Sequence, residues 1–330
     1  MALFKAVKKP VIRQSAAEGS GTSALRPRYA PKAPPCSTSC PLGTDVRGWL
    51  AVIADGELES RSLDQSVESA WKKITARNPF PAVTGRLCDH PCEDSCHRKG
   101  KEGAVAVQEL ERYVGDYGIA HGLRFSRPPE LAARIAVLGA GPAGLSAAYH
   151  LARRGYRVTV FEASSVPGGV MRGVPEEVLD AEIARIVDLG VELRCNCAEP
   201  DAGYDAVLTG LNGPSLACAI AQGMTEAEAL DGRLRGIAVQ KATPRPPIGP
   251  ERIKLEWYAG AARTPELIVA EAKRCMSCGT CMGCGNCWMY CSHGGYEKVP
   301  AGRRYKMKLD LCDGCGKCAD ACPSGFIDMG

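Results

Sequence analysis

Aromatic residues are scarce, 6% of 330, with five Phe and four Trp. No basic patch is interleaved with stacking rings, so the composition excludes a nucleic-acid platform. No run of 18 or more apolar residues occurs, which excludes a spanning helix from the expectations. Met1–Arg13 carries Lys5, Lys8 and Lys9 but lacks the apolar core of a secretory signal. Histidine is limited to His90, His97, His121, His150 and His293, without the spacing of a catalytic triad. H-E-x-x-H, G-x-S-x-G and P-loop motifs are also missing, so hydrolase and nucleotide-hydrolysis chemistries drop out.

Cysteine, by contrast, is abundant at 18 residues, and ten of these fall between Cys275 and Cys322. Two runs have the spacing C-x2-C-x2-C-x3-C: Cys281, Cys284, Cys287, Cys291 and Cys312, Cys315, Cys318, Cys322. A cubane needs four soft thiolates converging on one centre, and this spacing lets a tight loop supply three. The fourth cysteine of such a run normally reaches the other cluster. Cys281, Cys284 and Cys287 are therefore paired with Cys322, and Cys312, Cys315 and Cys318 with Cys291. Zinc knuckles and a disulfide scaffold are the alternatives. Zinc sites more often show two C-x2-C pairs across a longer loop, with histidine.

Thiol-rich composition without an export signal points to a reducing compartment, hence the cytoplasm. The formal charge of +4 counts every cysteine as neutral. A cubane on four thiolates carries about −2, so several clusters would reverse the sign, and the charge implies no nucleic-acid partner.

The chain divides into five parts. Residues 1–35, rich in Pro, Ser, Gly and basic residues, read as an extended arm. Residues 36–126 read as a helical unit, with helices over Val46–Glu57, Ser62–Arg77 and Val107–Tyr117 around Cys36, Cys40, Cys88, Cys92 and Cys96. Residues 127–232 open with the apolar run Arg134–Leu138, then Gly139-Ala-Gly141-Pro-Ala-Gly144, an Ala/Leu-rich helix and the strand Arg157–Glu162. Residues 233–274 form a proline-rich linker ending in a helix over Pro265–Lys273, and 275–330 the two-cluster unit. The expected fold class is therefore multi-domain α/β: an all-helical iron–sulfur domain, a reduced Rossmann-type domain and a ferredoxin-like domain.

The β–α–β stretch has the order of a dinucleotide site. Gly139 makes the tight turn, Gly141 admits a pyrophosphate and Gly144 allows close helix packing. Pro142 and Ala143 open the helix whose N-terminus faces the phosphates, and Glu162 is placed to accept from ribose hydroxyls. Arg153 and Arg154 do not replace that acid, so no 2′-phosphate pocket is expected. Gly168 and Gly169, six residues after the acid, favour FAD over NAD, with Arg172 in the segment that follows. A helix over about Glu176–Leu189, strands over Val191–Arg194 and Tyr204–Leu208, and a helix from Gly213-Pro214-Ser215 to about Gln222 complete the domain. Its N-terminus could face a flavin pyrimidine. Asn212, Gly213 and Ser215 are the candidate contacts there.

These motifs resemble the flavin-containing small subunit of glutamate synthase and its relatives. Among these are the N-terminal part of dihydropyrimidine dehydrogenase and the iron–sulfur flavoprotein accompanying dissimilatory sulfite reductase. The last is the branch whose C-terminal E-A-x-R-C-x2-C-G-x-C wording is nearest. The stretches that carry the likeness are C-x3-C-P-L-G at Cys36, F-P-A-V-T-G-R-L-C-x3-C-x3-C at Cys88, V-L-G-A-G-P-A-G-L-S-A-A at Gly139, and P-G-G with E-V-L-D-A-E-I after it. The family normally inserts a second, NAD(P)H-binding Rossmann domain after the strand ending A-x-G. Here only Leu211 and Asn212 separate Gly210 from the closing segment. Asn212 is nearest to an aspartate that the family places before the closing helix, and the segment after Gly169 is short.

The resemblance also implies two further cubanes in the helical unit. This chain lacks the family's upstream C-x2-C, but Cys275 and Cys278 stand in the same R-C-x2-C-G wording. They are expected to fold back to Cys36 and Cys96 around one cluster. Cys40, Cys88, Cys92 and Glu111 would hold the other, with Gln108 and Glu109 as rival positions for the last ligand. Cys195, Cys197 and Cys218 read as ordinary buried thiols. His90 and His97 flank cluster cysteines and read as structural. The basic run Arg303–Lys308 reads as a solvated loop or a docking face for an acidic carrier.

The expected function is that of an electron-transfer subunit with FAD and four [4Fe–4S] clusters inside a larger redox complex. It has no catalytic residues of its own, and its candidate partners are other subunits or a ferredoxin. The competing expectations are a stand-alone NAD(P)H oxidoreductase and an iron–sulfur scaffold with a vestigial flavin site.

Overall fold

A computed structural model of the chain describes residues 23–237, 245–300 and 303–330. Residues 1–22 of the expected arm, 238–244 of the proline-rich connection and 301–302 between the ferredoxin runs lie outside the described residues.

The N-terminal unit begins with a short strand, β1 (Pro27–Tyr29), followed by α1 (Pro35–Ser39), α2 (Val46–Ala54) and α3 (Leu63–Thr75). Asp45 caps α2 by accepting from Gly48 N at 3.1 Å. Ser62 and Gln65 form a reciprocal capping box on α3. The apolar faces of these two helices, Trp49, Leu50 and Ile53 against Val67, Trp71 and Ile74, form one core. Next come α4 (Pro81–Leu87), α5 (Pro91–Asp94) and α6 (Val107–Ala120). Pro81 fits at the start of α4 because a helix's first N–H has no partner to lose. Helices α4 and α6 cross at backbone contact. A Cβ on Gly85 would overlap the backbone of Arg112, and one on Gly115 that of Ala82.

In the second unit β2 (Arg134–Leu138), α7 (Pro142–Ala152), β3 (Arg157–Glu162), α8 (Glu176–Val187), β4 (Glu192–Cys195), β5 (Ala206–Leu208) and α9 (Leu216–Arg235) alternate. Among the described residues they build a parallel four-stranded sheet in the order β4-β3-β2-β5. This is the strand order of one Rossmann half, and the order reverses at β2. The limits of β2 and β3 agree with the sequence expectation. Helix α9 does not. It starts at Leu216 and runs to Arg235, thirteen residues past the expected end, so the expected boundary at 232 falls inside it. Ser215 caps it through Cys218 N, and Gly236 ends it at φ 65°. The interior Gly223 is no breaker, because a Cβ there would overlap the carbonyl of Ala143 on α7.

The two units share a core. Leu42, Phe80 and Val83 of the helical unit pack with Met171, Val174 and Leu179 of the sheet unit. Tyr149 of α7 donates to Thr75 O at 2.5 Å, and Arg153 braces the Tyr149 hydroxyl at 2.8 Å. His150 Nε2 lies 3.2 Å from Arg77 O. Burial pushes the His150 imidazole down to about 3, so it is neutral at pH 7 and donates to that carbonyl. The unfolded chain protonates this residue first. Its contribution is therefore full above pH 6.5 and is lost as the pH falls toward 3. Urea unfolding at pH 7, 5 and 4 is expected to show the wild type losing on the order of 2–4 kcal/mol more than His150→Gln over that range. Equal losses would remove His150 from the acid sensitivity.

The C-terminal unit comprises α10 (Ile268–Lys273), α11 (Asn286–Met289), β6 (Tyr296–Glu297), β7 (Lys306–Met307), α12 (Lys317–Asp320) and β8 (Ile327–Met329). Strands β6 and β7 form an antiparallel hairpin between the two cysteine runs. The last strand, β8, pairs antiparallel with β1, Pro27 opposite Met329 and Tyr29 opposite Ile327. The described part of the arm is thus laid on the chain's own C-terminal unit.

Candidate functional site

Helix α10 delivers Cys275 back to the first unit. Ile268 and Ala272 join the core of α2 and α3, with Cys36, Cys96 and Cys275 packed against it. Polar contacts fix the return. Buried Arg98 donates to Arg274 O at 3.0 Å and Ala259 O at 2.7 Å, and pairs with Glu102. Buried Arg274 pairs with Glu271 at 2.5 Å and donates to Gly103 O and Ala104 O. Glu271 in turn accepts from Ala106 N and Thr264 N, each at 2.8 Å. Every charge in this buried cluster has an opposite partner, as burial requires.

The result is a small cavity lined by Cys36, Cys96, Cys275 and Cys278, with Cys92, Arg47 and His97 also on its wall. The four cysteines grouped from the two ends of the sequence therefore come together. Burial first, and then the neighbouring sulfurs, push the thiols of Cys36 and Cys278 up. Without a metal these thiols keep their protons, and an iron core would have to displace them on binding.

Beside it, Cys40 ends α1, Cys88 ends α4, and Cys92 lies on α5. Burial raises Cys88 to about 11, with the charges of Glu111 and Cys40 adding to it. Cys92 is raised by burial, then by Glu111, Cys40 and Cys36. Glu111 turns inward from α6. Its Oε1 accepts from Asn78 at 2.9 Å and Thr84 at 3.1 Å, and its Oε2 lies 3.3 Å from His90 Nε2. Of the rival positions, the Glu109 carboxylate is engaged elsewhere. Glu109 pairs with Arg263 at 3.0 Å, and Gln108 N donates to Glu93. His90, at φ 48°, donates its N–H to Cys88 Sγ at 3.4 Å.

The ferredoxin runs close two further cavities. One is lined by Cys281, Cys284, Cys287 and Cys322 with Tyr29, Tyr305 and Phe326. The other is lined by Cys312, Cys315, Cys318 and Cys291 with Pro27 and Tyr296. Each gathers three cysteines of one run and the fourth of the other. Among the described residues no group of three His, Cys, Asp or Glu side chains is placed to hold a single metal ion. The four cysteines of each set line one shared cavity. Of the basic run, Arg303, Arg304, Lys306 and Lys308 are exposed while Tyr305 is buried. Cys195, Cys197 and Cys218 are only half-buried, not the core thiols the sequence suggested.

The glycine turn lies at the C-terminal end of β2, where the strand order reverses and ligands of such sheets sit. Gly139 has φ 93°, and space stands open over Gly141. A Cβ on Gly144 would overlap the Gly139 carbonyl. Pro142 and Ala143 begin α7. Gly168 N donates to Ala140 O at 2.7 Å, and a Cβ on Gly169 would lie 3.5 Å from Gly141 Cα, so the second glycine pair folds onto the first turn. Glu162 differs from expectation. Its Oε2 accepts from Ala140 N at 2.6 Å and its Oε1 from Ser164, so the carboxylate already braces the turn. Burial opposes its ionisation, but these donors hold its carboxyl below the usual value. Oε1 takes both Ser164 donors, and Oε2 keeps a lone pair for a ribose hydroxyl. Arg172 donates to Pro167 O and leans toward Glu176 and Asp180 on α8. Asn212 N is held by Gln222, Asn212 and Gly213 are exposed, and Ser215 caps α9. Open space, free amides and a helix N-terminus fit a dinucleotide pyrophosphate.

Fold and sites define an iron–sulfur protein built around a Rossmann-type dinucleotide domain. Residues 4–123 match the family described as dihydropyrimidine dehydrogenase domain II, 4Fe-4S cluster. Residues 137–194 match the NAD(P)-binding Rossmann-like domain, and 280–326 the 4Fe-4S dicluster domain. The beta subunit of an NADP(+)-dependent formate dehydrogenase from Moorella thermoacetica is 33% identical over 60% of this chain and 33% of its own length. The PreT subunit of the NAD-dependent dihydropyrimidine dehydrogenase of Escherichia coli K12 is 31% identical over 59% and 47%. The putative oxidoreductase AegA of the same strain is 32% identical over 53% and 28%. The chain is similar to these homologues over its iron–sulfur and Rossmann-type regions. It spans about a third to a half of the length of these curated relatives. Among the described residues no helix is long and apolar enough to cross a membrane.

Proposed function

We propose that the chain is an FAD- and [4Fe–4S]-containing electron-transfer subunit of a larger oxidoreductase complex, relaying electrons between a partner's redox centre and a ferredoxin or second subunit. The observation that carries this reading is the adjacency of the candidate sites in one row. A Cβ on Gly173, just beyond Gly168 and Gly169, would lie 3.5 Å from the Leu87 side chain, and Leu87 precedes Cys88. Cys36, in the first turn of α1, and Cys40, which ends that helix, link the site at Cys88 and Glu111 to the site at Cys96 and Cys275. Cys278 and Cys281 link that site to the first ferredoxin site, and Cys291 and Cys322 interlace the last two.

When bound, a flavin trades one or two electrons and a cubane one at a time, so the row matches pairs to single electrons. The residues supply the rest. The glycine turn and the α7 N-terminus receive the pyrophosphate, and the folded-back Gly168–Gly169 supports FAD over a nicotinamide nucleotide. Fifteen cysteines and Glu111 hold the iron. Seven residues join β5 to α9, too few for a second dinucleotide domain, so the chain would not take hydride from nicotinamide alone. Two relatives are named as enzyme subunits, which supports assembly into a complex. The thiol-rich composition supports the cytoplasm as the compartment.

Anaerobically purified chain is expected to contain about sixteen irons, four cubanes of four, and one FAD per polypeptide. NADH should leave its visible spectrum unchanged. Bleaching by NADH would overturn the relay reading in favour of a stand-alone oxidoreductase. Iron without flavin would favour a scaffold.

A further inference from the structure

Arg47 is the second residue of α2, where a cation opposes the positive end of the helix dipole. Its side chain is drawn away from the helix. Nη1 donates to Cys278 O at 2.5 Å and to Lys32 O at 3.2 Å. The guanidinium lines the cavity of Cys36, Cys96, Cys275 and Cys278 and also the surface groove outside it. It is half-buried, and among the described residues it has no carboxylate partner within 4.0 Å. The other guanidiniums near that cavity are neutralised, Arg98 by Glu102 and Arg274 by Glu271. Asp45, beside Arg47, caps Gly48 N.

We infer that Arg47 makes the site of Cys36, Cys96, Cys275 and Cys278 the electron well of the row, the position at which one electron of a pair is held while the other moves on. This rests on the reading above, in which those four cysteines carry a cubane. Adding one electron to such a core adds one negative charge. A fixed, unpaired cation against the cavity wall stabilises that charge in a medium less screening than water. The electron comes from the neighbouring reduced centre, which is oxidised by one electron, and no proton or bond changes hands. The adjacent site is of opposite character. Asp89 and Glu93 directly follow its cysteines Cys88 and Cys92 in the chain. In the ferredoxin unit, Arg304 is exposed and lies over Tyr29 and Phe326. Arg47 is thus a positioning residue for an electron, touching no substrate.

The test is a redox titration of the full, iron-loaded chain followed by electron paramagnetic resonance. The midpoint belonging to this site is the one missing from Cys275→Ser. Arg47→Gln is expected to lower that midpoint by a tenfold change in the oxidised-to-reduced ratio at fixed poise, about 59 mV for one electron. The other three midpoints and the iron content should stay unchanged. Arg47→Lys, which keeps the charge, should hold the midpoint within a threefold ratio. An unmoved midpoint in Arg47→Gln, or an equal fall in Arg47→Lys, overturns the inference. If Arg47→Gln loses iron, Asp45→Asn carries the test, because Asn caps a helix as well as Asp. Removing that carboxylate should raise the same midpoint, and an unchanged value there overturns the inference. An iron content other than about four cubanes would instead overturn the functional reading beneath it.

Discussion

Cys275→Ser is expected to remove one cubane, taking iron from about sixteen to about twelve per chain, while both ferredoxin-type signals persist. The physical reason is that Cys275 stands at the end of α10, packed on the core of α2 and α3 rather than on the ferredoxin unit. Its sulfur faces the cavity shared with Cys36, Cys96 and Cys278. A serine hydroxyl is a poor ligand for iron beside three soft thiolates. Removing the iron leaves three buried sulfurs that must take protons, and binding energy that was folding energy is lost with it. The helical unit should therefore melt at lower denaturant than in the parent. The Arg98–Glu102 and Arg274–Glu271 pairs remain to hold α10 in place, so the ferredoxin unit should not unfold with it. Cys278→Ser should behave the same way. Loss of a ferredoxin signal in either variant would show that Cys275 and Cys278 belong to the C-terminal unit, and the grouping across the chain would fall.

That grouping shows what the sequence can and cannot reveal. The limits of β2 and β3 were legible because short apolar runs end at glycines that a tight turn requires. The ferredoxin groups were legible because three of four ligands come from one loop. The partnership of Cys275 with Cys36 was reached only by counting cysteines against a family resemblance. The contacts that enforce it carry no local signal: Arg98 meets Arg274 O across 176 residues and Ala259 O across 161. The inward turn of Glu111 was equally hidden, because an acid on a helix looks the same on either face. What selects it over Glu109 is the crossing of α4 and α6, which presents Asn78 and Thr84 to one carboxylate while Arg263 takes the other. The length of α9 was missed because its interior glycines resemble stops, whereas Gly223 lets α7 approach. The pairing of β1 with β8 was missed because strand pairing between opposite ends of a chain leaves no periodic trace.

Glu182→Ala is expected to cost about 3–5 kcal/mol, the loss typical when one partner of a buried ion pair is removed. Glu182 lies on α8 of the dinucleotide unit and is fully buried. Its two oxygens accept from Ala82 N at 3.0 Å and Val83 N at 3.1 Å, the unpaired amides opening α4 in the helical unit. Arg185, one turn on, lies 3.4 Å away and over the ring of Trp71. Burial pushes the Glu182 carboxyl up to about 7, so the measurement belongs at pH 8, where the carboxylate is charged. Alanine would orphan two amides and one guanidinium together. Glu182→Gln, which keeps one acceptor, should cost less. Urea unfolding followed through tryptophan fluorescence reads both variants, and a loss below about 1 kcal/mol for Glu182→Ala, the range of an exposed pair, would refute the role. The consequence reaches the iron, because Cys88 caps the far end of α4. A helix whose start is no longer clamped presents that ligand less firmly. Glu182→Ala should therefore release the iron held by Cys40, Cys88, Cys92 and Glu111 faster than the parent when an iron chelator is added, while the ferredoxin iron leaves at an unchanged rate. Equal release from all four sites would mean that Glu182 joins the two units without governing the cluster between them.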